Sequence, residues 1–493
     1  MDLMGPAARK LRSHTRRSSY VLLLLAASVG HAQLAPSSSG LTQSAANNWA
    51  AQTGERVPWL TYSVDAGIGE SDNVTLAPTN KVSQTLAITD LDFVAKEQSR
   101  LLDANAKGDF SYFDYLQNAY GGQLVGRFDG QGKVAIVPGR LIWVVEDSFG
   151  QAAIDPYVPV TPANMENINY FSTGPDLVMR VGSLNFIDLS LRYARAQYQS
   201  SPFDSNRGLG SLAIGRDISA GASVSLNADF ERVMFDETGM ATTGTSTTGT
   251  STTGTVVNTD FDSTSLSGRY QLRGARTDLE ADLGATRISQ GNESTTGSLA
   301  KITLDRQLSA AAKLILTAGR VLTDASSSFS GLQSSVGASS GFIGTAPAPQ
   351  TSSNYTSDYG SVGWQYVRNR TIVRLTARWE RDTYPGQAQF DVTRPAGDFN
   401  IERQLTRTLS AQLIGRLVKT DFTNATIATN MASSDFNDWL FGGALTWRYG
   451  RGLEVHLRYN HSSHVVSAGG SGYGENRVFL TVGYSPRPTS DLQ

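Results

Sequence analysis

His456, His461 and His464 are the residues best suited to acid–base or metal chemistry. The chain has five histidines and no cysteine, and these three share one stretch, LEVHLRYNHSSH, with Glu454, Arg458 and Asn460. A serine–histidine hydrolase would need a nucleophile, a base and an orienting group within hydrogen-bond reach. A metal centre would want carboxylates at matching positions. Neither pattern is completed, because no motif places a serine in a strained turn and no carboxylate set matches the histidines. Without cysteine, disulfides and thiolate metal sites are also excluded. The expectation is no enzyme: no catalytic residue, no cofactor and no metal, with His456 on the polar face of a strand and His461 and His464 near its outer rim.

That strand belongs to a pattern that repeats along the chain. Leu453, Val455, Leu457 and Tyr459 alternate with Glu454, His456, Arg458 and Asn460. Ile187, Leu189, Leu191 and Tyr193 alternate with Asp188, Ser190 and Arg192, and Val373, Leu375, Ala377 and Trp379 with Arg374, Thr376, Arg378 and Glu380. Ala222 to Phe230 and Val478 to Tyr484 read the same way. A period of two puts all apolar side chains on one face of a strand and all polar ones on the other; a helix would scatter the charges over every face. The polar face is too charged for a soluble sandwich core, and the apolar face too continuous for water. A transmembrane antiparallel up-and-down β-barrel satisfies both, with lipid outside, a polar lumen inside and no free sheet edge.

The fold class expected is therefore all-β, a barrel of about 20 strands, with a range of roughly 16 to 22. Its connections alternate. Short ones such as KEQSR, VPGR, GSLN, ISAG and YGRG fit periplasmic turns, and mostly longer ones such as Gln151–Glu166, Glu237–Asn258, Ala325–Asn354 and Asn424–Ser434 fit extracellular loops. Both termini then fall on the periplasmic side. Trp439 and Phe441 at one end of a strand, with Trp447 and Tyr449 at the other, suit an aromatic girdle. Ten steps of ~3.3 Å tilted by ~40° span about 25 Å, the height of an apolar band.

Candidate lumen-lining residues follow from parity: Asp188, Arg192, Glu231, Arg374, Arg378, Glu380, Arg416, Glu454, His456 and Arg458. Two roles are open to them. They could form an electrostatic lining that selects solutes, or cross-strand salt bridges that hold the wall together; the near balance of signs favours the second. Tyr115 and Tyr198 also have lumen parity and could act as stacking platforms. The loop Ala325–Asn354 is long enough to fold inward and narrow a pore.

At the N-terminus, Arg9, Lys10, Arg12, Arg16 and Arg17 precede the apolar run YVLLLLAASVG and the sequence GHA, the order of a secretory signal peptide with cleavage after Ala32. The expected organisation is a signal peptide over 1–32, a flexible periplasmic leader over 33–57, the barrel over 58–485 and a periplasmic tail over 486–493. The leader is too short for a folded plug. Of 42 basic and 44 acidic residues, the signal peptide removes five and one, leaving 37 against 43 and a net charge of −6. That balance gives no electrostatic case for a nucleic-acid partner. The stretch TTGTSTTGTSTTGT, Thr242–Thr255, has no bulky or charged side chain and is expected to be a solvent-exposed loop whose extra length costs little.

Three segments, GIGESDNVTL at Gly67–Leu76, LVGRFDGQGKVAIVPGRLIWVVEDSFGQ at Leu124–Gln151 and TPANMENINYFSTGPDL at Thr161–Leu177, together resemble a family of Gram-negative outer-membrane β-barrel proteins. Members of that family are encoded with exopolysaccharide biosynthesis and export genes. The resemblance implies an outer-membrane barrel proposed to help polysaccharide cross or leave the outer membrane. Its partners would be outer-membrane lipid and lipopolysaccharide, the barrel assembly machinery, polysaccharide and periplasmic export components. One departure is the nine-residue extension SPRPTSDLQ after Tyr484, where such barrels often end on an aromatic. The competing functions are a general or solute-selective porin and a closed structural or surface barrel.

Overall fold

The computed structural model describes residues 59–154, 161–236, 239–243, 254–324, 354–385, 387–423, 435–450, 452–466 and 472–486. The expected signal peptide, the leader and all but the first residue of the tail lie outside these. Strands account for most of the described chain. They are β1 (Leu60–Ser71), β2 (Gln84–Gln98), β3 (Leu102–Tyr115), β4 (Gln123–Val137), β5 (Leu141–Ala153), β6 (Met165–Val181), β7 (Asn185–Tyr198) and β8 (Ser205–Ser219). Next come β9 (Ala222–Phe235), β10 (Gly239–Thr243), β11 (Gly254–Asn258), β12 (Phe261–Arg273), β13 (Thr277–Gln290), β14 (Glu293–Gln307), β15 (Ala312–Thr323) and β16 (Tyr355–Arg368). The last are β17 (Thr371–Thr383), β18 (Val392–Thr393), β19 (Ala396–Gln404), β20 (Leu409–Phe422), β21 (Phe436–Tyr449), β22 (Leu453–Val466) and β23 (Tyr473–Tyr484).

All but β10 and β11 belong to one antiparallel sheet in which each strand pairs with its neighbour in sequence, β9 passing to β12. The sheet closes on itself where β1 pairs with β23, from Val64 opposite Tyr484 to Ser71 opposite Arg477. β18 and β19 form a single stave between β17 and β20, so the barrel has 20 staves. Alternation predicts this stave as one strand over 388–403; Pro395 interrupts it, because proline has no N–H for the ladder. The Pro395 carbonyl still accepts from Lys419 N–H at 3.0 Å. At one end of the barrel the chain reverses in short turns, such as 99–101 and 182–184; we call this the turn end and the other the loop end. The loop end also has a tight reversal, Gly291–Asn292 between β13 and β14, with Gly291 at φ +58°.

The sheet's two faces are chemically opposite. Outward positions carry large apolar side chains left exposed, among them Ile68, Leu226, Leu413 and Leu283, the last 70% exposed. Inward positions carry the polar residues, many fully enclosed, including Asp90 and Arg207. On the outer face, aromatic rings lie flat over glycines of the next strand. A Cβ on Gly108 would come within 2.3 Å of the Phe93 ring, and one on Gly415 within 2.1 Å of Phe399. Such cross-strand pairs pin register.

Apolar residues also gather inside, towards the loop end. Leu86, Ile88, Phe113, Tyr115, Val125 and Phe479 pack beneath Val74 of the first loop. Other clusters are Ile168, Tyr198 and Phe203, and Tyr355 with Tyr384. The threonine-rich repeat, expected as a solvent-exposed loop, is described only at its two ends. Thr242 pairs with Thr255 and Thr243 with Gly254 in the β10–β11 hairpin, while 244–253 lies outside the described residues. Backbone pairing needs no bulky side chain, and β9 and β12 already hold the two chain ends at ladder spacing.

Candidate functional site: the charged barrel interior

All ten candidate lumen residues have inward strand parity, and most of them meet an oppositely charged or polar partner there. On the wall that runs β22–β23–β1–β2–β3, Arg458 donates to Asp90 at 2.6 Å, and the Ser111 hydroxyl donates to the same carboxylate at 2.6 Å. The Arg458 guanidinium also sits 5.8 Å from the Phe479 ring centroid. His456 Nε2 lies 3.0 Å from Asp65 and its Nδ1 3.0 Å from the Thr446 hydroxyl. Glu454 accepts from Arg448 at 2.9 Å.

On the β17–β20 wall, Arg378 pairs with Glu380, and Arg394 pairs with Asp382 and reaches Glu380 at 3.5 Å. Arg416 faces Asp398 at 3.4 Å, and Arg374 has Glu402 as its charged neighbour. On the β6–β9 wall, Arg192 meets Asp176 at 2.8 Å. Glu231 accepts from Arg207 at 2.9 Å. Asp188 is half-buried between Asp176 and Arg180. Opposite charges meet along one strand at Arg378–Glu380, on neighbouring staves at Arg192–Asp176, Arg207–Glu231, Arg416–Asp398 and Arg448–Glu454, and across the β23–β1 closure at Arg458–Asp90, the kind of pairing the cross-strand reading expects.

Sequence reasoning missed several partners. Asp65, Asp90 and Asp398 occupy alternating positions where inward parity could have been read. Arg207 and Asp324 could not have been found as a pair, being 117 residues apart. Arg394 sits beside the break at Pro395, where alternation fails.

The histidines do not converge. His461 has the opposite strand parity from His456 and His464, and packs on Trp439 with ring centroids 5.1 Å apart. His464 pairs with Asp438 at 2.7 Å and stacks on Tyr473. Among the described residues no group of three or more His, Cys, Asp or Glu could hold a metal ion. The stacking role expected of Tyr115 and Tyr198 is corrected. Tyr115 is 2% exposed and meets Tyr120 edge-on at 5.4 Å, while Tyr198 packs against Phe203 at 5.8 Å, so both rings serve interior clusters. Phe441, Trp447 and Tyr449 are exposed on the outward face, and Trp439 packs beside Phe441.

At the loop end Asp72 fastens the β1–β23 seam. Its carboxylate accepts from the Asn476 backbone N–H at 2.7 Å and from the Asn476 amide at 2.6 Å. Burial pushes this carboxyl up, but the Asn476 bonds together with Lys81 and His461 outweigh it, and the group is held below the usual carboxylate range.

No protein-family model matches the chain, and no curated protein matches its sequence. Among solved structures it is similar to the siderophore receptor PirA from Pseudomonas aeruginosa, at 9% identity and a TM-score of 0.39, over 87% of this chain and 80% of that one. The ferric-catecholate import receptor Fiu from E. coli K12 aligns at 9% and 0.45, over 86% and 81%. The FrpB iron transporter from Neisseria meningitidis (F3-3 variant) aligns at 9% and 0.46, over 88% and 83%. Likeness at this level bears on neither function nor site residues.

Proposed function

We propose that this chain is an outer-membrane β-barrel channel or scaffold that serves exopolysaccharide export. The observation that supports membrane placement most strongly is the inside-out distribution on a closed sheet, with large apolar side chains exposed outside and charges paired inside. Only a closed barrel lets a sheet satisfy its backbone in lipid. In this reading the outward face meets lipid and lipopolysaccharide after insertion by the barrel assembly machinery, and the turn end faces the periplasm. The link to polysaccharide rests on the resemblance carried by Gly67–Leu76, Leu124–Gln151 and Thr161–Leu177.

A second reading, a closed structural barrel, draws on the apolar clusters that fill parts of the interior at the loop end. Planar-bilayer recording separates the two: discrete conductance steps are expected of a channel, and none of a sealed barrel. Deleting the gene in its host tests the export role. Secreted polysaccharide should fall, and an unaltered yield would count against export.

A further inference from the structure

The wall is not continuous to its loop end. The β14–β15 ladder stops at Ala300 opposite Arg320, yet β14 continues against β13 up to Glu293, and β15 continues against β16 up to Thr323 opposite Tyr355. Above this point the two hairpins part company. Arg320 still behaves as an outward residue, more than half exposed and 3.6 Å from Asp358. Leu322 has the same strand parity and should also face outward. Instead it is buried with Val233, Phe235, Phe261 and Ile288, which line the inner face of β9, β12 and β13. It also lies on the inner side of β14, since a Cβ added to Gly297 would point inward and meet Leu322 Cβ at 3.4 Å. Asp324, next with this parity, reaches the interior too. Fully enclosed Arg207 on β8 donates to it through both terminal nitrogens, at 2.6 and 3.2 Å, while holding Glu231 at 2.9 Å.

From this we infer that the loop-end tip of β15, carried on β16, which stays laddered to β17 as far as Thr356 opposite Thr383, tucks as a flap inside the edge of β14, constricts the lumen and is latched by Asp324 on Arg207. A sheet layer laid inside another sits roughly 10 Å from it, so the flap takes one layer out of the opening. Its apolar underside, Leu322, fills the notch left by the absent side chain of Gly297. The bidentate ion pair fixes its end where both charges have left water, and Glu231 remains beside Arg207 when Asp324 is removed. The constriction rests on the channel reading; the placement of the flap does not.

Cysteine pairs test the placement, since the chain has no cysteine of its own. If the β14–β15 ladder simply continued, Leu322 would face Ser298. An inward flap puts it against Gly297 instead, at a spacing close to the roughly 3.5–4.5 Å between Cβ atoms in disulfides. Gly297→Cys/Leu322→Cys should therefore oxidise to a bridge in the folded barrel and Ser298→Cys/Leu322→Cys should not; the reverse overturns the flap. Planar-bilayer recording tests the constriction. Asp324→Ala should raise single-channel conductance above the wild type, and adding the oxidised 297–322 bridge to that variant should return it to the wild-type level. Unchanged conductance in Asp324→Ala overturns the constriction. If the bridge forms but no variant passes current, the channel reading and the constriction both fail while the flap's placement stands. A conducting wild type that bridges 298 to 322 retains the channel and removes the flap.

Discussion

The enclosed ion pairs of the interior give the sharpest consequences of single substitutions. Asp90 is 0% exposed and has Arg458 as its cation at 2.6 Å. Arg458→Met should destabilise the barrel by about 3–5 kcal/mol, the cost of stranding one partner of a buried pair. The double change Asp90→Asn/Arg458→Met should recover much of that loss. The temperature at which the folded species disappears from a gel reads both. At the seam the relevant variable is pH. Asp72 is held below its ordinary value of 3.8, so its bonds to Asn476 contribute fully at neutral pH and are lost only as pH falls through the depressed value. The protection factor of the Asn476 backbone amide should hold through the ordinary carboxylate range and fall only below it; a fall between pH 7 and 5 would assign the protection to another group.

At the scale of strands, alternation carried most of the information. It gave nine charged residues and His456 a common strand parity, because one residue fixes the facing of a whole strand. It could not choose partners, which depend on which staves meet and in what register: His456 meets Asp65 only because the sheet closes between β23 and β1. It failed at the tip of β15, where Leu322 keeps outward parity while the backbone carrying it has moved inside. Parity describes a face of a strand and is silent on where that strand has bent. Pro395 defeated it differently, by breaking a stave that reads as continuous. Two predictions belong here. Leu226→Arg, on the outward face in the turn-end half of β9, should cost roughly 2–4 kcal/mol if it meets the bilayer midplane, measurable as a lower unfolding midpoint; no change would place that face in water. Deleting 244–253 should leave the β10–β11 pairing and barrel assembly intact, since closure entropy changes slowly with loop length; loss of the folded species would show that the repeat is needed for assembly.

For the whole molecule, closure and polarity are one argument. Twenty staves with no free edge between β1 and β23 make sense of an apolar exterior only in a medium that cannot hydrogen-bond an edge. The paired charges inside then stabilise the wall and leave the opening to be shaped at the loop end, by the apolar clusters and the flap. Fold and facing were legible from the first alternating strands; the interior's connectivity was not, because it arises from contacts between distant segments. The most direct test of the central claim is gel migration of the protein from fractionated cells, with and without boiling. The account predicts an outer-membrane species that runs faster unboiled and shifts to its full apparent mass on heating. Recovery in the soluble fraction, with no shift on heating, would contradict it.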